Sequence, residues 1–178
     1  MTMTLVSTVT VGAGGAASID FTSIPQTFTD LCILIAARTT NTDTGQSVNL
    51  VLYPNSSAYP DTNCTWRYLN GTGGAATSGS GTNFIMLGNV PTALATANTF
   101  GNISVYIPNY STTSAKSFSI EEVADENATG TTMMIVAGRT SATAALTSLN
   151  IQVGRTLAQY TTASLYGITK GSGGATVS

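Results

Sequence analysis

One stretch decides the fold: Asp30-Leu31-Cys32-Ile33-Leu34-Ile35-Ala36-Ala37-Arg38, an apolar run with a charged residue at each end. The run is far shorter than the roughly 20 apolar residues that a membrane span requires. Because successive strand residues point to opposite faces of a sheet, apolar residues at every position indicate a strand covered on both sides. We therefore predict a central strand at the heart of the fold, with both of its faces buried.

Alternating apolar and polar residues recur through the rest of the chain, and no segment shows a convincing helical stripe. Met3, Leu5 and Val9, for example, alternate with threonines. The pattern predicts about ten strands. They cover residues 3–11, 30–38, 47–53, 65–69, 83–87, 102–107, 117–120, 131–139, 148–153 and 161–169. The predicted fold class is all-β, a two-sheet antiparallel β-sandwich of the jelly-roll type.

The chain of 178 residues is long enough for one domain with one core. We expect residues 1–169 to form a single β-sandwich domain and residues 170–178 to form a flexible tail rich in Gly and Ser. The Gly-rich segment 70–81 is predicted to be an exposed, mobile loop. The Gly-rich segment 12–18 lacks the lysine of a phosphate-binding loop and is predicted to be a hairpin turn.

Ionisable groups are scarce: the chain has no histidine, only 8% charged residues and a net charge of −2. Triad hydrolysis and metal-imidazole chemistry need histidine, and nucleic-acid binding needs clustered Lys and Arg. The basic residues here are scattered instead. We predict that the protein is not an enzyme, with no catalytic residues, cofactor or metal site, and that it binds neither nucleic acid nor membrane.

Two cysteines, Cys32 and Cys64, are too few for a disulfide framework. Cys32 lies inside an apolar strand, where a free thiol behaves as a small hydrophobe, so we expect both to be reduced. The N-terminus has no basic segment ahead of an apolar one, as a secretory signal requires, so we expect synthesis in the cytoplasm.

The one acidic cluster is Glu121-Glu122-Val123-Ala124-Asp125-Glu126-Asn127. Its simplest interpretation is the exposed end of a strand that runs into a turn. Calcium binding remains an alternative, although the spacing matches no standard calcium loop. Catalysis by paired carboxylates, as in glycosidases, is the third interpretation.

Aromatic side chains supply a second candidate site, centred on Trp66 and Tyr68. Their rings can pack in the core or on the sheet surface, fill a subunit interface, or stack on sugar rings. The surface itself is rich in Thr, Ser and Asn. Because solubility normally comes from Lys and Glu, such a surface indicates that much of it is covered by copies of the same chain or by a large assembly.

Several strings resemble a group of tailed-bacteriophage virion structural proteins. They are Ser18-Ile19-Asp20-Phe21-Thr22-Ser23-Ile24-Pro25-Gln26-Thr27, Ala37-Arg38, Trp66-Arg67-Tyr68-Leu69, Ile107-Pro108-Asn109-Tyr110, Lys116-Ser117-Phe118 and Ala163-Ser164-Leu165-Tyr166-Gly167-Ile168. The resemblance implies a β-sandwich on a virus particle, either as a capsid decoration (cement) protein or as part of a tail fibre. No catalytic residues carry over from it.

The resemblance favours a decoration protein on the capsid exterior, with the major capsid protein as partner and a homotrimer as its own assembly. Met1, Thr2, Met3, Thr4 and Leu5 are the predicted interface residues, because a free strand edge can add to a partner's sheet. The alternative is a tail fibre or tip domain that binds a receptor or carbohydrate. In that case Trp66 and Tyr68 supply the contact.

Overall fold

The computed structural model describes residues 2–42, 45–55, 59–125 and 131–170, which contain β-strands and no helix. The strands are β1 (Thr2–Thr10), β2 (Ala16–Phe21), β3 (Asp30–Ala37), β4 (Ser47–Pro54), β5 (Asp61–Gly71), β6 (Ala76–Asn83), β7 (Ile85–Pro91), β8 (Gly101–Pro108), β9 (Lys116–Asp125), β10 (Thr131–Thr140), β11 (Leu149–Leu157) and β12 (Thr162–Thr169). The all-β prediction is confirmed.

The strands form two antiparallel sheets that pack as a sandwich. The larger sheet has eight strands in the order β1-β12-β3-β8-β9-β10-β5-β6, and the smaller has four in the order β2-β11-β4-β7. The chain changes sheet at every connection except those between β5 and β6, between β8 and β9, and between β9 and β10. This alternation produces the strand order of a jelly roll, as predicted.

Two hairpins are inserted into the jelly roll. The β5–β6 hairpin lies between β4 and β7, and the β9–β10 hairpin lies between β8 and β11. They join side by side, because β10 pairs with β5 as well as with β9. The resulting four strands, β9-β10-β5-β6, widen the large sheet at one edge, and we call them the extension.

The core lies between the two sheets. On β3, the alternate residues Leu31, Ile33 and Ile35 are at most 2% exposed, and they face Leu50 and Leu52 of the small sheet within one cluster of buried side chains. Strand β7, at the edge of the small sheet, packs on β9, β10 and β5, so the core continues under part of the extension.

The outer face of β3 corrects one prediction. Leu34 is 42% exposed, Ala36 is exposed and Cys32 is half-buried, so β3 is not covered on both faces. The small sheet can cover only one face of the large sheet, and among the described residues no element covers the other. The apolar run therefore places hydrophobic side chains on an open surface.

Both Gly-rich predictions also change. Ala76–Asn83 is strand β6 and β5 extends to Gly71, so only residues 72–75 of the predicted loop 70–81 lie outside strands. The Gly15 amide donates to the Gly12 carbonyl at 3.0 Å, which closes a turn as predicted. This turn does not form a hairpin, because β1 pairs with β12 and β2 with β11. Met1 and residues 171–178 of the predicted tail lie outside the described residues. Lys170, the first residue of that tail, forms an ion pair with Asp30 at 3.4 Å.

Candidate interaction surface

The outer face of the extension carries a cluster of exposed hydrophobic side chains. Their exposures are 65% for Leu69, 51% for Val123, 58% for Met133 and 55% for Ile135. Ile135 lies opposite Leu69 on β5, and Met133 lies opposite Val123 on β9. Because directly opposed side chains are about 5 Å apart, the four form one contiguous surface. We call it the outer patch.

The outer patch follows from the two-residue period of β10. Thr132, Met134 and Val136 point into the sandwich and are buried, so Met133 and Ile135 must point outward. Contiguous exposed apolar surface of this kind marks an interaction site in soluble proteins. The sequence prediction missed these residues. The sequence signal for an exposed apolar face was that apolar residues occupy both odd and even positions between Thr131 and Arg139.

Shallow grooves border the outer patch. One of about 440 Å³ runs over β10, β5 and β6, between Ile135 and Leu69 on one side and Ser78 and Ser80 on the other. A second, of about 410 Å³, continues along the same strands toward Arg139 and Thr82. The face is therefore uneven, with small polar side chains on the edge strand β6.

Charges are distributed unequally along the extension. Arg139 belongs to the second half of β10, and Arg67 on β5 lies opposite Ala137 in the same half. Glu121 and Asp125 lie beside its first half, opposite Ile135 and Thr131. Neither arginine side chain has a hydrogen-bond or ion-pair partner among the described residues. The face is therefore basic beyond one end of the outer patch and acidic along β9, where Glu121 and Asp125 lie on either side of Val123.

The inner face of the extension carries a row of aromatic rings. Trp66 stacks on Tyr68 with ring centroids 5.9 Å apart and on Phe84 at 5.7 Å. Tyr59 continues the row from Phe84 at 6.4 Å and is itself 65% exposed. Trp66 and Tyr68 are half-buried against the sheet, and Tyr59 presents the most open ring.

The predicted interface residues lie at the opposite side of the large sheet. Thr2, Met3, Thr4 and Leu5 are the exposed first part of β1. Among the described strands β1 pairs only with β12, so it forms an edge of the large sheet. A bulge between Leu5 and Ser7 interrupts this pairing. Five strands separate β1 from Trp66 and Tyr68 on β5, so the two predicted sites are not brought together.

Residues 121–125 of the acidic cluster are the last five residues of β9, so the cluster lies at the end of a strand, as predicted. Glu121 is exposed, whereas Glu122 points inward and lies over Gly88. Glu121 and Asp125 share a face but are about 13 Å apart along the strand, beyond the separation of paired glycosidase carboxylates. In the described part of the chain, no three His, Cys, Asp or Glu side chains are grouped to hold a metal ion. Glu126 and Asn127 lie outside the described residues.

Both cysteines are free, as predicted. Cys64 is fully buried, and its thiol donates to Oδ2 of Asp61 at 3.3 Å. Burial and this hydrogen bond raise the pKa of Cys64 to about 12. Cys32 is half-buried on the outer face of β3, and burial raises its pKa.

Asp30 is a buried carboxylate with three polar partners. Its carboxylate accepts hydrogen bonds from the Tyr106 hydroxyl at 2.7 Å and the Asn109 amide at 3.0 Å, in addition to the Lys170 ion pair. Burial acts to raise the pKa of Asp30, but these three partners outweigh it, so its pKa is below the ordinary value.

Two buried cations hold loops in place. Arg38 donates to the carbonyl oxygens of Ala95 at 3.1 Å, Thr96 at 2.8 Å and Thr99 at 2.9 Å. Lys116 donates to several loop carbonyls, including Thr112 at 2.8 Å. Burial lowers the pKa of both side chains. Neither has a carboxylate partner within the ranges that the structure describes, so backbone carbonyls solvate both charges.

Among the described residues no helix is long and apolar enough to cross a membrane. No protein-family model, curated protein sequence or solved structure matches this chain.

Proposed function

We propose that this chain is a virion structural protein, namely a capsid decoration protein that binds the outer surface of the major capsid lattice and stabilises the head. One observation carries the proposal: the outer face of the large sheet exposes Leu34 and the outer patch although the inner face already has its core. Such a face is suited to contact with other molecules. The virion resemblance of the sequence supports the same function.

The proposed mechanism is mass action. A protein that binds only the assembled lattice stabilises it by a free energy that grows with the logarithm of its free concentration over its dissociation constant. Many modest contacts on one particle then add to a large effect. The free edge of β1, at Thr2 to Leu5, is the proposed clamp, since its unpaired backbone groups can extend a sheet of the capsid protein.

The copy number on purified particles tests this function. Quantitative mass spectrometry should find the chain in numbers comparable to the major capsid protein. Absence from particles, or only a handful of copies, would overturn the decoration role. The homotrimer implied by the resemblance stays a prediction that the mass of the purified protein checks.

Variants of the proposed clamp give a sharper test. Leu5→Lys places a charge on the free edge and should weaken binding to particles that lack the protein, measured by co-sedimentation. Leu94→Lys is the matched control, because Leu94 is 46% exposed on a loop away from β1. Equal binding of both variants would exclude the β1 edge as the clamp.

The aromatic row favours a second candidate, a tail tip domain that binds carbohydrate. Near-parallel rings about 6 Å apart suit stacking on successive sugars. Tyr59→Ala removes the most exposed ring and should abolish binding to host polysaccharide. Tyr160→Ala, at a ring of similar exposure outside the row, is the control. No binding by the unmodified protein would eliminate this candidate.

A further inference from the structure

We propose that the outer patch is a contact between two copies of this chain, related by a two-fold axis. This inference concerns the chain's own assembly and does not depend on the decoration role. A two-fold contact uses the same surface on both copies, so that surface must be complementary to itself. The extension has the properties that such a surface requires.

The size of the face is sufficient. Four strands at about 4.8 Å spacing, each about ten residues long, cover roughly 19 by 34 Å, near the ~800 Å² per partner of a standard interface. Leu69, Val123, Met133 and Ile135 form its apolar centre, and small Ser and Thr side chains of β6 form one rim. An apolar centre with a polar rim is the usual anatomy of a protein interface.

The charges select the partner and its orientation. Arg67 and Arg139 lie on β5 and β10 at one end of the face, whereas Glu121 and Asp125 lie along β9 on either side of Val123. A two-fold axis that runs obliquely across the strands exchanges these two regions. It therefore lays the arginines of each copy over the β9 carboxylates of the other, with the apolar centres in contact. A second copy satisfies this pattern without any other partner.

The proposed contact makes a numerical prediction. Each molecule is paired through its outer patch, so the assembly contains an even number of chains, whether or not other surfaces join the copies. A dimer fits, and so does a pair of trimers. Light scattering or native mass spectrometry of the purified protein should give an even copy number. A monomer or an isolated trimer would overturn the inference.

Substitutions in the apolar centre test the location of the contact. Leu69→Lys or Ile135→Lys should halve the copy number and weaken self-association at least about tenfold. Both positions are exposed, so circular dichroism and urea unfolding should show an intact fold. Leu94→Lys, the same change on a loop outside the patch, should leave the copy number unchanged. An unchanged copy number in both patch variants would also refute the proposal.

A charge reversal tests the two-fold arrangement independently of apolar packing. Combined Arg67→Glu and Arg139→Glu should weaken self-association about tenfold, because like charges then meet across the contact. Adding Glu121→Arg and Asp125→Arg to the same chain should restore it. Failure of restoration would contradict the arrangement. Particle binding, measured separately on the same variants, shows whether the decoration role stands or fails on its own.

Discussion

The indole of Trp66 lies over Gly81 on the neighbouring edge strand. The two residues are directly paired, and a Cβ atom built on Gly81 would lie 2.3 Å from Cζ2 of Trp66. Tyr68 has the same relationship to Gly79, with a distance of 2.8 Å to Cε1. Large rings on β5 thus cover the bare backbone of β6 and tie this strand to the sheet.

Gly81→Ala should therefore destabilise the protein by about 1 to 3 kcal/mol, because Trp66 must leave its stacked position. Urea unfolding measures the change. Gly74→Ala in the same hairpin is the control, since a Cβ there would meet no atom within 4 Å. Equal stability of the two variants would show that the Trp66 ring is free to move away.

Asp30 should make the stability depend on pH under acid conditions. Its pKa in the folded protein is below the ordinary value of an aspartate, so the folded state binds a proton less readily than the unfolded state. Its contribution is complete above the unfolded pKa and disappears as pH falls through the folded pKa. The Asp30→Asn variant should be less stable than the unmodified protein at neutral pH, and its free energy of unfolding should fall less on acidification. The matched change Glu121→Gln controls for loss of a carboxylate, and identical pH profiles for both variants would contradict this prediction.

Arg38→Lys should destabilise the protein by about 2 to 4 kcal/mol, since an ammonium group cannot reproduce the fork that reaches three loop carbonyls. Equilibrium unfolding gives the value, and proteolysis near Ala95 to Thr99 should become faster. Arg139→Lys, at an exposed arginine, should be nearly neutral. An unchanged free energy of unfolding in Arg38→Lys would mean that the loop from Ala95 to Thr99 does not depend on the guanidinium group for its conformation.

The two thiols should differ in their reaction with iodoacetamide. At about pH 8, Cys64 should stay unmodified in the folded protein, because it is fully buried and its pKa is about 12. Cys32, which is half-buried, should react slowly. Both should react at once in denaturant. Mass spectrometry after proteolysis locates the label, and faster labelling of Cys64 than of Cys32 would contradict the structure.

Period-two alternation was sufficient to predict the all-β sandwich, because each half-buried strand must separate its apolar and polar residues. The same rule failed for β6, whose sequence Ala-Thr-Ser-Gly-Ser-Gly-Thr-Asn has no large apolar residue. The hydrophobic cover of this strand comes from Trp66 and Tyr68 on β5. A strand that is covered by the apolar side chains of a neighbouring strand shows no apolar alternation in its own sequence.

The candidate surface was only partly predictable. The scarcity of charge predicts a surface covered by copies of the chain or by a large assembly, and this stays a prediction. Apolar residues on both faces of β3 predict double burial, which is wrong. Sequence cannot distinguish a strand covered by its own chain from one that leaves Leu34 open. Likewise, Leu69 and Ile135 meet only because two separate insertions pair with each other.

That pairing has a consequence for how the molecule matures. β10 joins β5 only after the long intervening segment has been brought back across the jelly roll, and such non-local pairings form slowly. Leu69 and Ile135 come together only in this pairing. Chains in which β10 has not yet joined β5 therefore lack the finished outer patch.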